Sequence, residues 1–158
     1  MNRLPWLLLL AALAAPSASP GANDDLAVIV NKANPINNLT KAQLRKLVLA
    51  EQGSWPGGQK VTVVFRTAGV PERDGMLRTI CRMSEEDYSQ HTMHANFSGD
   101  TNTPPKVVAS AAAVRQAVAS TPGAIGFVKM SDVDDTVKLL TVDGAAAGAA
   151  EYKIKLGK

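Results

Sequence analysis

The sequence predicts one α/β domain of three layers, built around a mostly parallel sheet of about four or five strands. Three observations support this class. Continuous apolar runs rich in β-branched residues, at 26–30 and 61–65, are typical of strands covered on both faces. Amphipathic helical patterns alternate with the strands along the chain. The 158 residues are enough for one ordinary domain and too few for two.

The first residues of the chain have the layout of a secretory signal. Arg3 makes the start positive, residues 7–15 are an unbroken apolar run, and small residues follow. This run is much shorter than the roughly 20 residues of a membrane-spanning helix. We therefore expect residues 1–22 to be cleaved on export. Residues 23–158 are then expected to form an exported domain without a membrane span.

Charge and cysteine content argue against a nucleic-acid-binding protein and against a protein stabilised by an internal disulfide. The formal net charge of +3 is mild, and no block of lysine and arginine contains interleaved aromatic residues, so nucleic acid is not an expected partner. Cys81 is the single cysteine, which excludes an internal disulfide. Stability is therefore expected to come from the hydrophobic core.

The first strand is followed by a helix that is predicted to begin at Thr40. Thr40 and Gln43 fit a capping box, and apolar residues recur after them at helical spacing. These apolar residues are Leu44, Leu47 and Val48. A strand, a helix and a second strand within about 40 residues are typical of a right-handed crossover between parallel strands.

Two helices are predicted after the second strand. Pro71 suits the first position of one, and Ser84, with Asp87 three residues later, suits the start of the next. The inner face of the first of these helices consists of Met76, Leu77, Ile80 and Cys81. Residues 98–105 are predicted to be a loop from their composition.

The last part of the chain predicts one helix and two strands. Ser110 is expected to cap the helix, and its inward-facing residues are Val114, Ala117 and Val118. The strands are predicted at 124–128 and 137–142. The alanine-rich tail from Ala145 is expected to extend as a short helix or to fray.

The segment TPGAIGFV, residues 121–128, joins this helix to the first of these strands. Pro122 is suited to end the helix, and Gly123 is suited to a left-handed turn. Gly126 stands inside the strand, where a glycine either lets another backbone approach closely or relieves packing. The segment is a signature of the fold more than of a site.

Four segments, taken in order, resemble the second lobe of the periplasmic phosphate-binding protein of bacterial ABC phosphate importers. They are LAVIVN, LTKAQLRKLVLAEQGSWPGG, VTVVFR and VASTPGAIGFV, and they extend over residues 26–128. The resemblance implies a single lobe of a type II periplasmic-binding-protein fold, with a three-layer α/β/α arrangement. It also implies a periplasmic solute-binding protein rather than an enzyme, and secretion beyond the periplasm stays open. Trp55 matches the tryptophan of the family and is expected to pack over the sheet edge.

The resemblance places an oxyanion site where the second strand meets its helix. In the family, the strand-end arginine is followed by serine, an acid and glycine, and Arg66, Thr67 and Gly69 stand at the arginine, serine and glycine positions. Arg73 adds a second guanidinium, which can hold an oxyanion bidentately. Strand, small-residue loop and helix start is also a common arrangement for anions. Phosphate or a related oxyanion is therefore expected to bind, weakly or with a partner, at Arg66, Thr67, Gly69 and Arg73.

The rest of this loop departs from the family pattern. Val70 lacks a hydroxyl, Pro71 lacks a backbone N–H, and Glu72 puts negative charge in the first helical turn. Glu72 and Asp74 are also favourable helix starters because acids there interact with the helix dipole. These replacements support an alternative, an interaction module that kept the fold, lost the ligand and docks to another envelope protein. An ABC transporter or another envelope protein is the expected partner in either case.

A metal site and a catalytic site are the remaining hypotheses. His91 and His94 are three residues apart and Cys81 is near in sequence, but no carboxylate completes a ligand spacing. Cys81 falls on an apolar helix face, where cysteine usually behaves as a small hydrophobe. A catalytic pair of Cys81 and His91 is a third hypothesis for function. No nucleophile elbow, zinc motif or P-loop occurs in the sequence, so neither an enzyme nor a cofactor is expected.

Overall fold

The computed structural model describes residues 24–97 and 103–157. The expected signal peptide, residues 1–22, and most of the loop predicted at 98–105 lie outside the described residues. The strands are β1 (Leu26–Val30), β2 (Asn38–Leu39), β3 (Thr62–Arg66), β4 (Lys106–Val108), β5 (Ala124–Lys129), β6 (Lys138–Leu139) and β7 (Thr141–Val142). The helices are α1 (Lys41–Val48), α2 (Pro71–Met76), a π-helix (Leu77–Cys81), α3 (Glu85–Phe97), α4 (Ala111–Ser120) and a short 3₁₀-helix (Met130–Asp132).

The central sheet has five strands in the order β4-β3-β5-β1-β6. Strand β3 pairs in parallel with both β4 and β5, whereas β1 pairs antiparallel with both β5 and β6. Every strand of this sheet except β1 therefore runs in the same direction, which confirms the prediction of a mostly parallel sheet. A small second sheet pairs β2 and β7 in parallel.

The predicted right-handed crossover between β1 and β3 is wrong. The two strands are not neighbours, because β5 lies between them, and β1 runs against the direction of β3. All five residues of β1 are buried, as the apolar run indicated. An apolar run reports burial on both faces, but it contains no information on strand direction.

Helix α4 covers one face of the sheet. An added Cβ on Gly126 of β5 would lie 2.7 Å from Val114 and 2.9 Å from Val118, both on α4. The glycine therefore makes room for side chains of the helix, not for another backbone. Asn31, just after β1, donates to the carbonyls of Val118 and Ala119 and so binds the end of α4 to the sheet.

The opposite face of the sheet is covered by α2 and α3. Gly126 faces α4, and because successive strand residues alternate between the two faces of a sheet, Phe127 lies on the face opposite α4. The ring centroids of Phe127 and Phe65 are 6.0 Å apart, and that of Phe65 is 5.7 Å from Tyr88 of α3. Helices on both faces of the sheet confirm the three-layer arrangement.

The helix starts agree with the sequence. Thr40 and Gln43 form the capping box of α1, with Thr40 Oγ1 accepting from the Gln43 amide at 3.1 Å and Gln43 Oε1 accepting from the Thr40 amide at 2.9 Å. Ser110 accepts from the Ala113 amide at the start of α4. Pro71 is the first residue of α2. A side-chain cap of this kind contributes about 1 kcal/mol.

Gly123 serves a different purpose from the one predicted. It is absent from the residues with positive φ, so no left-handed turn requires it. A side chain at this position would instead collide with the Lys60 carbonyl. The buried Trp55 donates its indole N–H to the Gly123 carbonyl at 3.0 Å, so both residues hold the loop before β3 against the start of β5.

The C-terminal part of the chain differs from the prediction in two respects. The strand predicted at 137–142 is divided into β6 and β7, which belong to different sheets, with Leu140 buried between them. The tail forms neither a helix nor a frayed end, because Tyr152 and Ile154 are buried. The Tyr152 hydroxyl donates to the Leu26 carbonyl at 2.6 Å, and the Leu26 amide donates to the Ile154 carbonyl at 3.0 Å.

No helix within residues 24–97 and 103–157 combines the length and apolar character that crossing a membrane requires.

Candidate functional site

The candidate site lies at the carboxyl ends of β3 and β4, which meet at one edge of the sheet because the two strands are parallel. Strand β3 ends at Arg66 and leads through an exposed loop into α2. Strand β4 ends at Val108 and leads into α4. The Thr67 amide donates to the Val108 carbonyl at 3.2 Å, so the two loops leave the sheet side by side.

The Arg66 guanidinium bridges these two loops. Its Nη1 donates to Glu72 Oε1 at 2.8 Å, in the first turn of α2. Its Nη2 donates to the Ala109 carbonyl at 2.8 Å, between β4 and α4. The Arg66 side chain is 19% exposed, so solvent still reaches part of it.

The burial of Glu72 and its ion pair with Arg66 are the features of the site that sequence reasoning missed. The sequence identified it as a helix-starting acid, but its side chain is only 2% exposed and is the ion-pair partner of Arg66. A carboxylate buried to this extent needs a cation and hydrogen bonds to remain charged. Even so, Glu72 Oε2 and Arg66 Nε are buried without a hydrogen-bond partner among the described residues. The one sequence signal for this ion pair was the presence of an acid, Glu72, six residues after the strand-end Arg66.

Arg73 is directed into the protein rather than towards the open side of the loop. Its Nε and Nη2 donate to the two carboxylate oxygens of Glu85 at 2.7 and 2.6 Å. The guanidinium carbon lies 5.5 Å from the ring centroid of Phe65 and 5.8 Å from that of Tyr88. Nη1 donates to the backbone carbonyl of Arg66 at 3.1 Å, which is how the structure brings the two arginines together.

Thr67 and Gly69 lie on the exposed side of the loop. Gly69 has φ of +85°, a conformation that strains other residues, and an added Cβ there would meet nothing within 4 Å. Val70, the residue before α2, offers no side-chain hydrogen bond to the helix start. The exposed loop thus presents the Thr67 hydroxyl and backbone groups to solvent beside Arg66.

The residues of the metal and catalytic hypotheses lie elsewhere. Cys81 is buried with its Sγ 3.9 Å from the Met76 sulfur, and burial raises the pKa of its thiol to about 12, against a smaller opposing effect of Arg45. His91 Nε2 lies 3.4 Å from the Leu49 carbonyl, and His94 is exposed. In the part of the chain that the structure describes, no three histidine, cysteine or acidic side chains are grouped as a metal site requires.

Comparison with known proteins gives one family and several solved structures. A family model described as a PBP superfamily domain matches residues 15–156. An ABC-type phosphate transport receptor from Vibrio cholerae is 27% identical, with a TM-score of 0.65 over 78% of this chain and 48% of the receptor. A putative phosphate ABC transporter substrate-binding protein with bound phosphate, from Clostridium perfringens, is 22% identical, with a TM-score of 0.68 over 85% of this chain and 56% of that one.

PstS from Borrelia burgdorferi is 18% identical, with a TM-score of 0.66 over 85% of this chain and 55% of PstS. At identities of 22% and 18%, the Clostridium and Borrelia proteins are evidence for the fold alone. The chain spans about half the length of each of the three structures.

Proposed function

The chain belongs to the PBP superfamily, and from this premise we propose that it is an exported, non-catalytic binding domain of the phosphate-transporter type. It binds phosphate or a related oxyanion weakly, or together with a partner, at the carboxyl end of β3. The family match and the likeness to phosphate-transport receptors agree with the resemblance read from the sequence. The observation that carries the proposal is Arg66 itself, which ends β3 beside the start of α2 with 19% of its side chain exposed.

The proposed contacts combine one charged donor with an open loop. A guanidinium has five N–H donors, and the bonds of Arg66 to Glu72 and Ala109 leave others for an anion. Thr67 and Gly69 follow Arg66 in the exposed loop, and the Thr67 hydroxyl and the Gly69 backbone are the further donors of the proposal. Arg73 contributes positive charge and holds the Arg66 backbone in place through the 3.1 Å bond.

Weak affinity follows from how open the site is. Salt and water screen a charged contact that is not enclosed. Because the chain spans about half the length of the receptors that it resembles, a second surface that covers the anion is part of the proposal. A transporter subunit or another envelope protein is the proposed source of that surface.

Calorimetric titration with phosphate tests the proposed site. Arg66→Gln is expected to weaken binding by roughly tenfold or more, because a charge-assisted hydrogen bond is lost. Arg78→Gln is the matched control, since Arg78 is an exposed arginine of the π-helix without an ion pair among the described residues. Thr67→Val tests the loop hydroxyl at an exposed position, where folding is not at risk. No heat from phosphate, and none from sulfate or arsenate at millimolar concentration, would contradict the proposal.

The alternative, an interaction module that docks to an envelope protein, is favoured by one specific observation. The guanidinium groups of Arg66 and Arg73 are already paired with Glu72 and Glu85 inside the chain. If no oxyanion binds to the folded protein, this alternative becomes the better description. The neighbouring genes add an independent indication, because transporter genes favour transport and sensor or outer-membrane genes favour the module.

A further inference from the structure

Two arginine–glutamate pairs lie beside the proposed site, and they are bonded differently. Arg73 donates to both oxygens of Glu85, at 2.7 and 2.6 Å. Arg66 donates to only one oxygen of Glu72, at 2.8 Å. In this second pair, Arg66 Nε and Glu72 Oε2 are buried and have no hydrogen-bond partner among the described residues.

The unpaired atoms distinguish the Arg66–Glu72 contact from an ordinary structural ion pair. Arginine and carboxylate groups frequently bond through two parallel hydrogen bonds, as Arg73 and Glu85 do. Buried polar atoms without a partner are rare in folded proteins and call for an explanation. Here they show that the bonding capacity of Arg66 is only partly used by Glu72.

The Glu72 carboxylate also has the chemistry of the proposed ligand. It is an oxyanion, and it accepts from the N–H group of Arg66 that faces the start of α2. With 2% of its side chain exposed, it does not leave the site for solvent without a change in the surrounding structure. The other contact of Arg66, to the neutral Ala109 carbonyl, does not depend on the charge of Glu72.

We infer that Glu72 is an internal ligand of Arg66 and the residue that sets the anion affinity of the site. An incoming oxyanion competes with the Glu72 carboxylate for the same guanidinium and is repelled by its charge. The inference rests on the proposed function, and it accounts for a site that keeps its arginine but binds weakly. It also identifies a single substitution that strengthens binding.

Glu72→Gln is the decisive variant because glutamine keeps the shape and a carbonyl acceptor for Arg66 but removes the charge. Phosphate is expected to bind to this variant roughly tenfold or more tightly than to the unaltered protein. Glu85→Gln is the matched control, since it removes the same charge from the bidentate pair with Arg73. This control is expected to change phosphate affinity by less than about twofold.

The possible outcomes separate the inference from the proposed function. Binding by the Glu72→Gln variant alone, or tighter binding by it than by the unaltered protein, supports the inference. Equal binding by the unaltered protein and the Glu72→Gln variant overturns the inference and leaves the proposed function intact. Absence of phosphate binding in the unaltered protein and both folded variants, with folding checked by circular dichroism, overturns both.

A measurement on the unaltered protein does not depend on the stability of any variant. Nuclear magnetic resonance of arginine Nε–H groups during a phosphate titration reports the unpaired Nε of Arg66 directly. A shift of the Arg66 resonance at millimolar phosphate, with that of Arg73 unchanged, is the expected result. A response of Arg73 without one of Arg66 would overturn the inference.

Discussion

Arg66 and Arg73 have different environments although both stand near the start of α2. Arg73 is stacked against two aromatic rings and bonded bidentately to Glu85, which ties α2 to α3. Its proposed role in anion binding is indirect, because it holds the backbone carbonyl of Arg66. The Arg66 side chain is the more exposed of the two, at 19% against 10%. At the residue scale, the proposed site therefore depends on one arginine and on the acid that faces it.

Cys81 gives a test of the catalytic hypothesis at the same scale. Burial raises the pKa of its thiol to about 12, so the reactive thiolate is scarce near neutral pH. We expect a thiol reagent to label the folded protein at least about 100-fold more slowly than the denatured protein at pH 8. The reaction is followed spectroscopically, with the denatured chain as the control. Rapid labelling of the folded protein would revive the pairing of Cys81 with His91.

The sequence indicated where Arg66 and Gly69 lie in the fold better than it indicated the hydrogen bonds of Arg66. Arg66 ends β3, and Gly69 has the positive φ that a glycine in such a loop supplies. The burial of Glu72 could not be predicted, because an acid in the first helical turn is ordinarily exposed and favourable there. Its partner Arg66 lies between the β3–α2 loop and the β4–α4 loop and bonds to both. The bond to Ala109 joins residues more than forty apart in sequence, and local patterns contain no information on such a contact.

At the scale of elements, the contact between β5 and α4 is set by the side chains opposite Gly126. An added Cβ would lie 2.7 Å from Val114 and 2.9 Å from Val118, closer than such atoms normally approach. Gly126→Ala is therefore expected to lower the free energy of unfolding by about 1–3 kcal/mol, measured by urea titration.

The double variant with Val114→Ala provides the control for this prediction. Removing the methyl groups of Val114 makes room for the alanine. The double variant should therefore lose less unfolding free energy than the two single variants together, by roughly 0.5 kcal/mol or more. If the two losses of unfolding free energy were strictly additive, the alanine at position 126 would not clash specifically with Val114. In that case the glycine would have no packing role.

Helix positions were predictable because caps and apolar spacing are local features, and the starts at Thr40 and Ser110 were confirmed. Strand direction was not, because β1 has the same apolar pattern in either orientation. The short strand β4 was not predicted, because its three residues directly follow two prolines of the predicted loop. The division of residues 137–142 into β6 and β7 depends on which sheet each piece joins, which is a tertiary property.

At the scale of the whole molecule, the tail closes the structure around β1 and α2. Tyr152 and Ile154 bond to the backbone of Leu26, and the Gly157 amide donates to the Pro71 carbonyl at the start of α2. Gly75 makes this approach possible, since an added Cβ there would collide with the tail backbone. The tail that was predicted to form a short helix or to fray thus supports the helix that begins at the proposed site.

Alkaline pH is expected to destabilise the whole molecule through its buried cysteine thiol and tyrosine hydroxyls. Burial raises the pKa of Cys81 from 9.0 to about 12 and that of Tyr88 from 10.0 to about 12, and it also raises the pKa of Tyr152. The folded protein therefore keeps these protons at a pH at which the unfolded chain has already lost them. Their contribution to stability is fully present below about pH 9 and is lost as pH rises towards about 12, by up to about 1.4 kcal/mol per pH unit for each group.

Urea unfolding at about pH 8 and about pH 10.5 measures this loss directly. Cys81→Ala and Tyr88→Phe each remove one titrating group, so each variant should lose less stability over this interval than the unaltered protein, even if it is less stable at pH 8. An exposed lysine changed to glutamine, such as Lys46, serves as a control that leaves the buried groups untouched. If stability stayed constant up to pH 10.5, these side chains would have to ionise freely in the folded state. Their burial against α1 and β1 would then not hold in solution.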